Sequence, residues 1–220
     1  QISGLEEDLK GSGIRLKQTD NLVDRIWQDQ PAPPLQPAAA HPLEFAGEAA
    51  EEKCKRLAEG LAAAGHSAAV ITLPDSIMWL LNIRGADIAH NPVAHGFAIL
   101  HDDARVELFM AAEKLAGLED HLGAGVAVRD PAEFLSAVAA LNGRVAGDAG
   151  SLPQIVADAL GDRLAKSGDP CALPKARKNA AEIAGSAAAH LRDGAAIAEL
   201  LAWLDAQAPG TVSEIQVVKK

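Results

Sequence analysis

Tyrosine is absent from this sequence and aromatic residues make up only 3% of it. Proteins that bind single-stranded nucleic acid without shape readout need rings on which bases stack, and that platform is missing. Basic residues are also in deficit: 20 Lys and Arg stand against 30 Asp and Glu, for a net charge of −10. Such a field repels phosphate backbones and anionic lipid, so neither nucleic acid nor a membrane surface is expected as a partner. Cysteine occurs twice, at positions 54 and 171, too sparsely for a disulfide framework or a Cys-based zinc site, and a cytoplasmic location is the simplest reading. No run approaches the ~18 apolar residues of a membrane span. The first residues, QISGLEEDLKGSG, lack the basic and apolar regions of a signal peptide. No repeat of 20 to 50 residues is visible, which excludes solenoids and propellers.

What is present is an ordinary globular composition, 49% hydrophobic and 23% charged over 220 residues, enough for one good core with flanking pieces. Residues 1–27 read as a short helix, a strand at Ile14–Lys17 and a second short helix at Asn21–Trp27 with Asp20 as N-cap. Five prolines in residues 28–42 preclude helix and predict an extended, solvated linker. Leu57, Leu61 and the alanines of 47–64 then recur at helical spacing, with Gly65 as the stop. Apolar β-prone runs follow at 69–73, 97–100, 106–110, 126–128 and 144–146, separated by helical patterns at 74–81, 131–141 and 151–160. The alternation predicts an α/β fold, and the short polar stretch His101–Ala104 predicts a hairpin, so the sheet should be mixed. Continuously apolar strands imply cover on both faces. From Pro174 the pattern is helical, with an apolar stripe through Ile183, Leu191, Ile197, Leu200, Leu201, Trp203 and Leu204. The chain starts without Met and stops at VVKK inside an amphipathic stretch, and both ends are read as cuts.

Chemistry is harder to find. His90, His95 and His101 lie near Asp87, Asp102 and Asp103, but no pair has the i, i+4 spacing of a helical zinc motif and Pro92 argues against a helix there. Gly147–Ser151, between a strand and a helix, could in principle cradle a phosphate; a tight turn with Ser151 capping the next helix is the simpler reading. Gly65-His66-Ser67 fails the nucleophile-elbow pattern because Ala stands at 69. Arg84 could bind a carboxylate or tie a loop to a backbone carbonyl. Trp79 and Trp203 read as core anchors. No pair of carboxylates forms an acid/base dyad, and composition and spacing end at a soluble α/β domain with flanking pieces.

Three stretches carry a resemblance: NLVDRIW at 21–27, DSIMWLLNIRGADIAHNP at 75–92, and DPCALPKARKNAAEIAGSAAAHLRDGAAIAELLAWL at 169–204. Together they resemble the multidomain X-Pro aminopeptidases (aminopeptidase P) of the M24, creatinase/prolidase-like, metallopeptidases. The resemblance implies a mixed-sheet creatinase N-terminal-like α/β domain at 41–173, helices on both faces, preceded at 1–40 by the tail of an upstream creatinase-like domain with its linker. Residues 174–220 would be the opening helices of a pita-bread catalytic domain. It further implies a parent with a dinuclear centre, usually manganese, that activates a water against peptides with proline at the second position. Its ligands would all lie beyond Lys220, leaving no cofactor, catalytic residue or metal ligand in this chain. Arg84 and His90 match the family's middle-domain motif and are the candidates for a substrate cleft. A homodimer is a further implied partner. The rival reading is a non-catalytic creatinase-like interaction module using the stripe around Trp203.

Overall fold

The computed structural model describes residues 2–17 and 19–220. They fall into two units, one formed by the chain up to Leu43 together with Glu48–Arg177, the other by Glu44–Gly47 and Lys178–Lys220.

The first unit opens with helices α1 (Ile2–Asp8) and α2 (Leu22–Ile26). The strand expected at Ile14–Lys17 does not form; these residues are exposed and irregular, because nothing adjacent offers them a ladder. The N-cap of α2 is Asn21, whose Oδ1 accepts the Val23 N–H at 3.0 Å, and not Asp20. Extended chain follows and ends in strand β1 (Ala39–Ala40). The proline-rich segment is therefore solvated only in part: Ala38 is buried, and β1 pairs antiparallel with a strand from further along the chain, described below.

A short helix α3 (Leu43–Ala46) precedes α4 (Ala50–Ala63). Strand β2 (Ala68–Ile71), helix α5 (Pro74–Leu80) and strand β3 (Ile83–Arg84) come next. Strands β4 (Phe97–His101) and β5 (Val106–Phe109) form the expected hairpin. Helix α6 (Glu119–Leu122), strand β6 (Val126–Arg129), helix α7 (Phe134–Ala140), strand β7 (Val145–Asp148), helix α8 (Gln154–Leu160), strand β8 (Leu164–Ser167) and helix α9 (Ala172–Ala176) complete the unit. Ser151 does not cap α8: Pro153 holds the cap position and the Ser151 hydroxyl turns back to Asp148.

Six strands make one sheet in the order β6-β5-β4-β2-β7-β8. Only β4 runs against its neighbours; β2, β7 and β8 are mutually parallel, as are β5 and β6. Successive side chains on a strand point to opposite faces, and here each face buries a different set. Ala69, Ile71, Leu100 and Leu108 pack with Leu57 and Leu61 of α4 and with Ile77 and Leu80 of α5. Val70, Ile99, Phe109 and Val145 pack with Phe134 and Val138 of α7 and with Val156 and Leu160 of α8. Helices cover both faces, and each fully buried Leu or Ile contributes roughly 1.5–3 kcal/mol. Phe97 stacks on Phe134 at 4.3 Å between centroids, with Phe109 edge-on to the same ring at 5.2 Å.

In the second unit the 26-residue helix α10 (Ala180–Asp205) starts at a capping box. Asn179 Oδ1 accepts the Glu182 N–H at 3.0 Å while Glu182 Oε2 accepts the Asn179 N–H at 2.9 Å. The Asn179 Nδ2 donates to Ala46 O at 2.7 Å, tying in the Glu44–Gly47 segment. Helix α11 (Glu214–Lys219) ends the chain. No residue of α10 is buried; Ile183, Leu191, Ile197 and Leu201 are exposed and Trp203 is half-buried, whereas Trp79 sits in the core of the first unit.

Candidate functional site

The middle motif is built on α5 and the loop after it. Proline at the first turn of α5 suits a position whose N–H has no helical partner, and Ser76 through Leu80 are all buried. Asn82 ends the helix in the left-handed region, φ 50°, a conformation that Asn tolerates. Strand β3 then pairs with β1, Ala39 opposite Arg84 and Ala40 opposite Ile83. Arg84 is half-buried, and its Nη1 donates to Met78 O at 3.2 Å and Ile83 O at 2.8 Å. Gly85 passes so close to the opposite side of the loop that a Cβ there would stand 2.3 Å from the Ala94 nitrogen. His90 lies at the tip of the turn closed by Asn91 N–H on Ile88 O (3.1 Å); it is exposed, with φ 62°. Arg84 and His90 thus share one loop, the former against its base and the latter at its tip.

Two buried lysines hold this region. Lys114 Nζ donates to Asp87 Oδ2 at 2.6 Å and to His95 O at 3.3 Å; the Lys114 side chain is 5% exposed and that of Asp87 0%. Asp87 also accepts the His95 N–H at 2.7 Å and the Gln36 N–H at 3.2 Å. Burial alone would raise the Asp87 carboxyl, but the bonds from Lys114 and the His95 amide outweigh it and hold the group below the usual carboxylate range. Lys53 is 1% exposed; its Nζ donates to Trp79 O at 2.7 Å and Asn82 Oδ1 at 2.6 Å and lies 4.4 Å from the Trp79 ring centroid. The Nε2–H of His121 meets the Leu81 and Asn82 carbonyls at 3.1 and 2.9 Å. Sequence reasoning missed all of these pairings; for Lys53 alone a signal was available, a cation that continues the 57, 61 spacing of the buried face of α4.

The histidine and aspartate cluster is dispersed by partners of its own. His101 Nε2 is 2.9 Å from Glu107 Oε1, Asp103 pairs with Arg105 at 2.7 Å, and Asp87 belongs to Lys114. Burial would raise Glu107, but hydrogen bonds from Arg129 and His101 bring it down. Burial pushes the Cys54 thiol up to about 11 and the Cys171 thiol well above its ordinary value, which disfavours the thiolate at both. Among the described residues no group of three or more His, Cys, Asp or Glu side chains stands close enough to hold a metal ion, and a dinuclear centre does not fit them. The Gly147–Ser151 turn spends its donors internally, Asp148 accepting the Gly150 N–H at 3.2 Å and the Ser151 hydroxyl at 2.7 Å. A carboxylate already occupies that turn, which makes it a poor phosphate cradle. An open cleft of about 810 Å³ runs past His41, Glu51, Asn82, Arg105 and His121 on the first unit; Arg84 and His90 lie outside its lining.

The comparisons with known proteins agree with one another. The family model described as the creatinase/prolidase N-terminal domain matches residues 29–182. A probable Xaa-Pro aminopeptidase P of Coccidioides posadasii is 39% identical over 224 residues, covering 93% of this chain and 35% of the relative. Its counterpart in Aspergillus clavatus is 35% identical over 91% of this chain and 33% of its own length. The chain therefore spans about a third of the length of the curated relatives it matches. The crystal structure of X-prolyl aminopeptidase from Caenorhabditis elegans, described as a cytosolic enzyme with a di-nuclear active site, matches with a TM-score of 0.88 and 27% identity. That match covers 99% of this chain and 38% of that one. An Xaa-Pro dipeptidase from Bacillus anthracis shares the fold at a TM-score of 0.59 and 19% identity, over 77% of this chain and 47% of its own. The motif at 75–92, the mixed sheet with helices on both faces and these matches point one way: the chain belongs to the creatinase/prolidase N-terminal domain family, in its X-Pro aminopeptidase (aminopeptidase P) branch.

Proposed function

We propose that this chain is a non-catalytic middle portion of an X-Pro aminopeptidase, a cytoplasmic enzyme that removes the N-terminal residue preceding proline. In this reading residues 1–40 are the tail of an upstream creatinase-like domain with its linker, 41–173 the middle domain, and 174–220 the opening helices of the catalytic domain. The observation that carries it is the match to the worm X-prolyl aminopeptidase, which takes in 99% of this chain and leaves most of that enzyme's length outside. That enzyme is described as having a di-nuclear active site, and the described residues here do not fit one. In this reading the metal pair, manganese, belongs to the remainder of the parent, and residues of this chain are assigned support and substrate shaping. His90, exposed at a loop tip, is the residue proposed to meet peptide, with Arg84 as the anchor at the base of the same loop. Homodimerisation of the parent is part of the same reading.

A second reading, an interaction module with no catalytic parent, draws on the exposed Ile183, Leu191, Ile197 and Leu201 of α10. Hydrolysis of an X-Pro peptide with added Mn²⁺ separates the two. The purified 220-residue chain should be inactive and the protein extended through its full reading frame active. Inactivity of both favours the module, and activity of the chain alone contradicts both.

A further inference from the structure

We propose that Asp87 is the hub of a latch that makes the docking of segment 36–41 and the shape of loop 84–95 one coupled state. Its carboxylate joins its own loop to two segments remote in sequence: it accepts the His95 N–H of the loop at Oδ2 (2.7 Å), the Gln36 N–H at Oδ1 (3.2 Å) and the Lys114 ammonium at Oδ2 (2.6 Å). The carboxylate is completely buried. A buried charge is tolerated only when its partners are in place, and losing one strands the rest. Lys114 closes the circuit, because its own carbonyl accepts the Ala38 N–H at 2.7 Å while its Nζ reaches His95 O at 3.3 Å. The β1–β3 ladder and the His41 N–H on Asn82 O at 2.7 Å continue the attachment along the same strap. On the loop side, Asp87 N–H donates to Val93 O and Gly85 N–H to Pro92 O, so the ring of backbone that carries His90 closes around the same residue.

Releasing Asp87 therefore frees the strap and the loop together. The central strands are held by ladders of their own and need not follow. The consequence is a mechanical link: displacement of the chain preceding Gln36 is felt at the tip of the loop more than 50 residues further on. The latch stands whether or not Arg84 and His90 line a substrate cleft.

Amide hydrogen exchange on the 220-residue chain tests it. In Asp87→Asn and Lys114→Met, exchange at Gln36, Ala38 and His95 should rise together by roughly tenfold or more, equivalent to about 1.4 kcal/mol, with Val70, Ile99 and Ala146 unchanged. Gln36→Pro, which removes one strap donor and leaves the buried pair intact, should accelerate exchange at His95 as well. A change at His95 alone or in the strap alone means that the two are not coupled. A uniform rise that includes Val70 and Ala146 reports a general loss of stability, and either result overturns the latch.

Discussion

Among the described residues three non-glycine positions, Asn82, His90 and Ala104, adopt a left-handed backbone, and their side chains decide what that costs. Asn82 (φ 50°) and His90 (φ 62°) are types that accept this conformation, and each ends or turns a segment of the motif. Ala104 (φ 69°) closes the β4–β5 hairpin with no such excuse; a left-handed Ala costs about 1–2 kcal/mol, against up to about 1 kcal/mol of extra unfolded-state freedom for Gly. Ala104→Gly should therefore raise the urea-unfolding stability by about 0.5–1 kcal/mol, and unchanged or lower stability would mean that the hairpin tip is relaxed. The turn itself was legible in His101-Asp102-Asp103-Ala104, and the left-handed backbone at Ala104 was not. Ion-pair partners were equally hidden. Asp87 and Lys114 lie 27 residues apart, and no periodicity connects them; only the fold brings them together. Arg84 and His90 were marked as cleft candidates by a motif; the backbone-carbonyl tie that residue chemistry offered for Arg84 is the one that forms, and His90 is an exposed imidazole.

At the scale of elements, what was readable followed from side chains that must be buried. Strand β2 is a continuous apolar run and β4, β5 and β7 are apolar over most of their length, while α4 shows itself through the 57, 61 spacing and the Gly65 stop and α5 through its buried apolar run. Strand β8 was missed because Leu164–Ser167 buries only Ala165, and β1 because its pairing with β3 is a backbone matter inside a proline-rich stretch. The α7 and α8 boundaries shifted because Pro131 opens a 3-10 turn before Phe134, and because Pro153, not Ser151, starts α8. The loop between β3 and β4 depends on close backbone approach at Gly85, which the RG pair of the motif hinted at without explaining. Gly85→Ala should push Val93–Ala94 away and destabilise the chain by about 1–3 kcal/mol. Thermal unfolding is the check, and a wild-type midpoint would show that the loop yields freely.

At the scale of the molecule, the sheet with helices on both faces gives a self-sufficient core, while α10 presents apolar side chains that nothing in its own unit buries. Composition and spacing reached the α/β class and stopped there, because the titratable side chains are spread among local partners and form no constellation of reacting groups for sequence chemistry to detect. The family came from the run at 75–92 and its companion at 169–204, that is, from kinship. The role proposed for this chain is that of a folded support, with the metal centre of the proposed parent enzyme lying outside these 220 residues. Calorimetric titration of the 220-residue chain with Mn²⁺ at neutral pH tests that claim most directly. The account predicts no saturable binding at micromolar metal, and uptake of two ions per chain would contradict it.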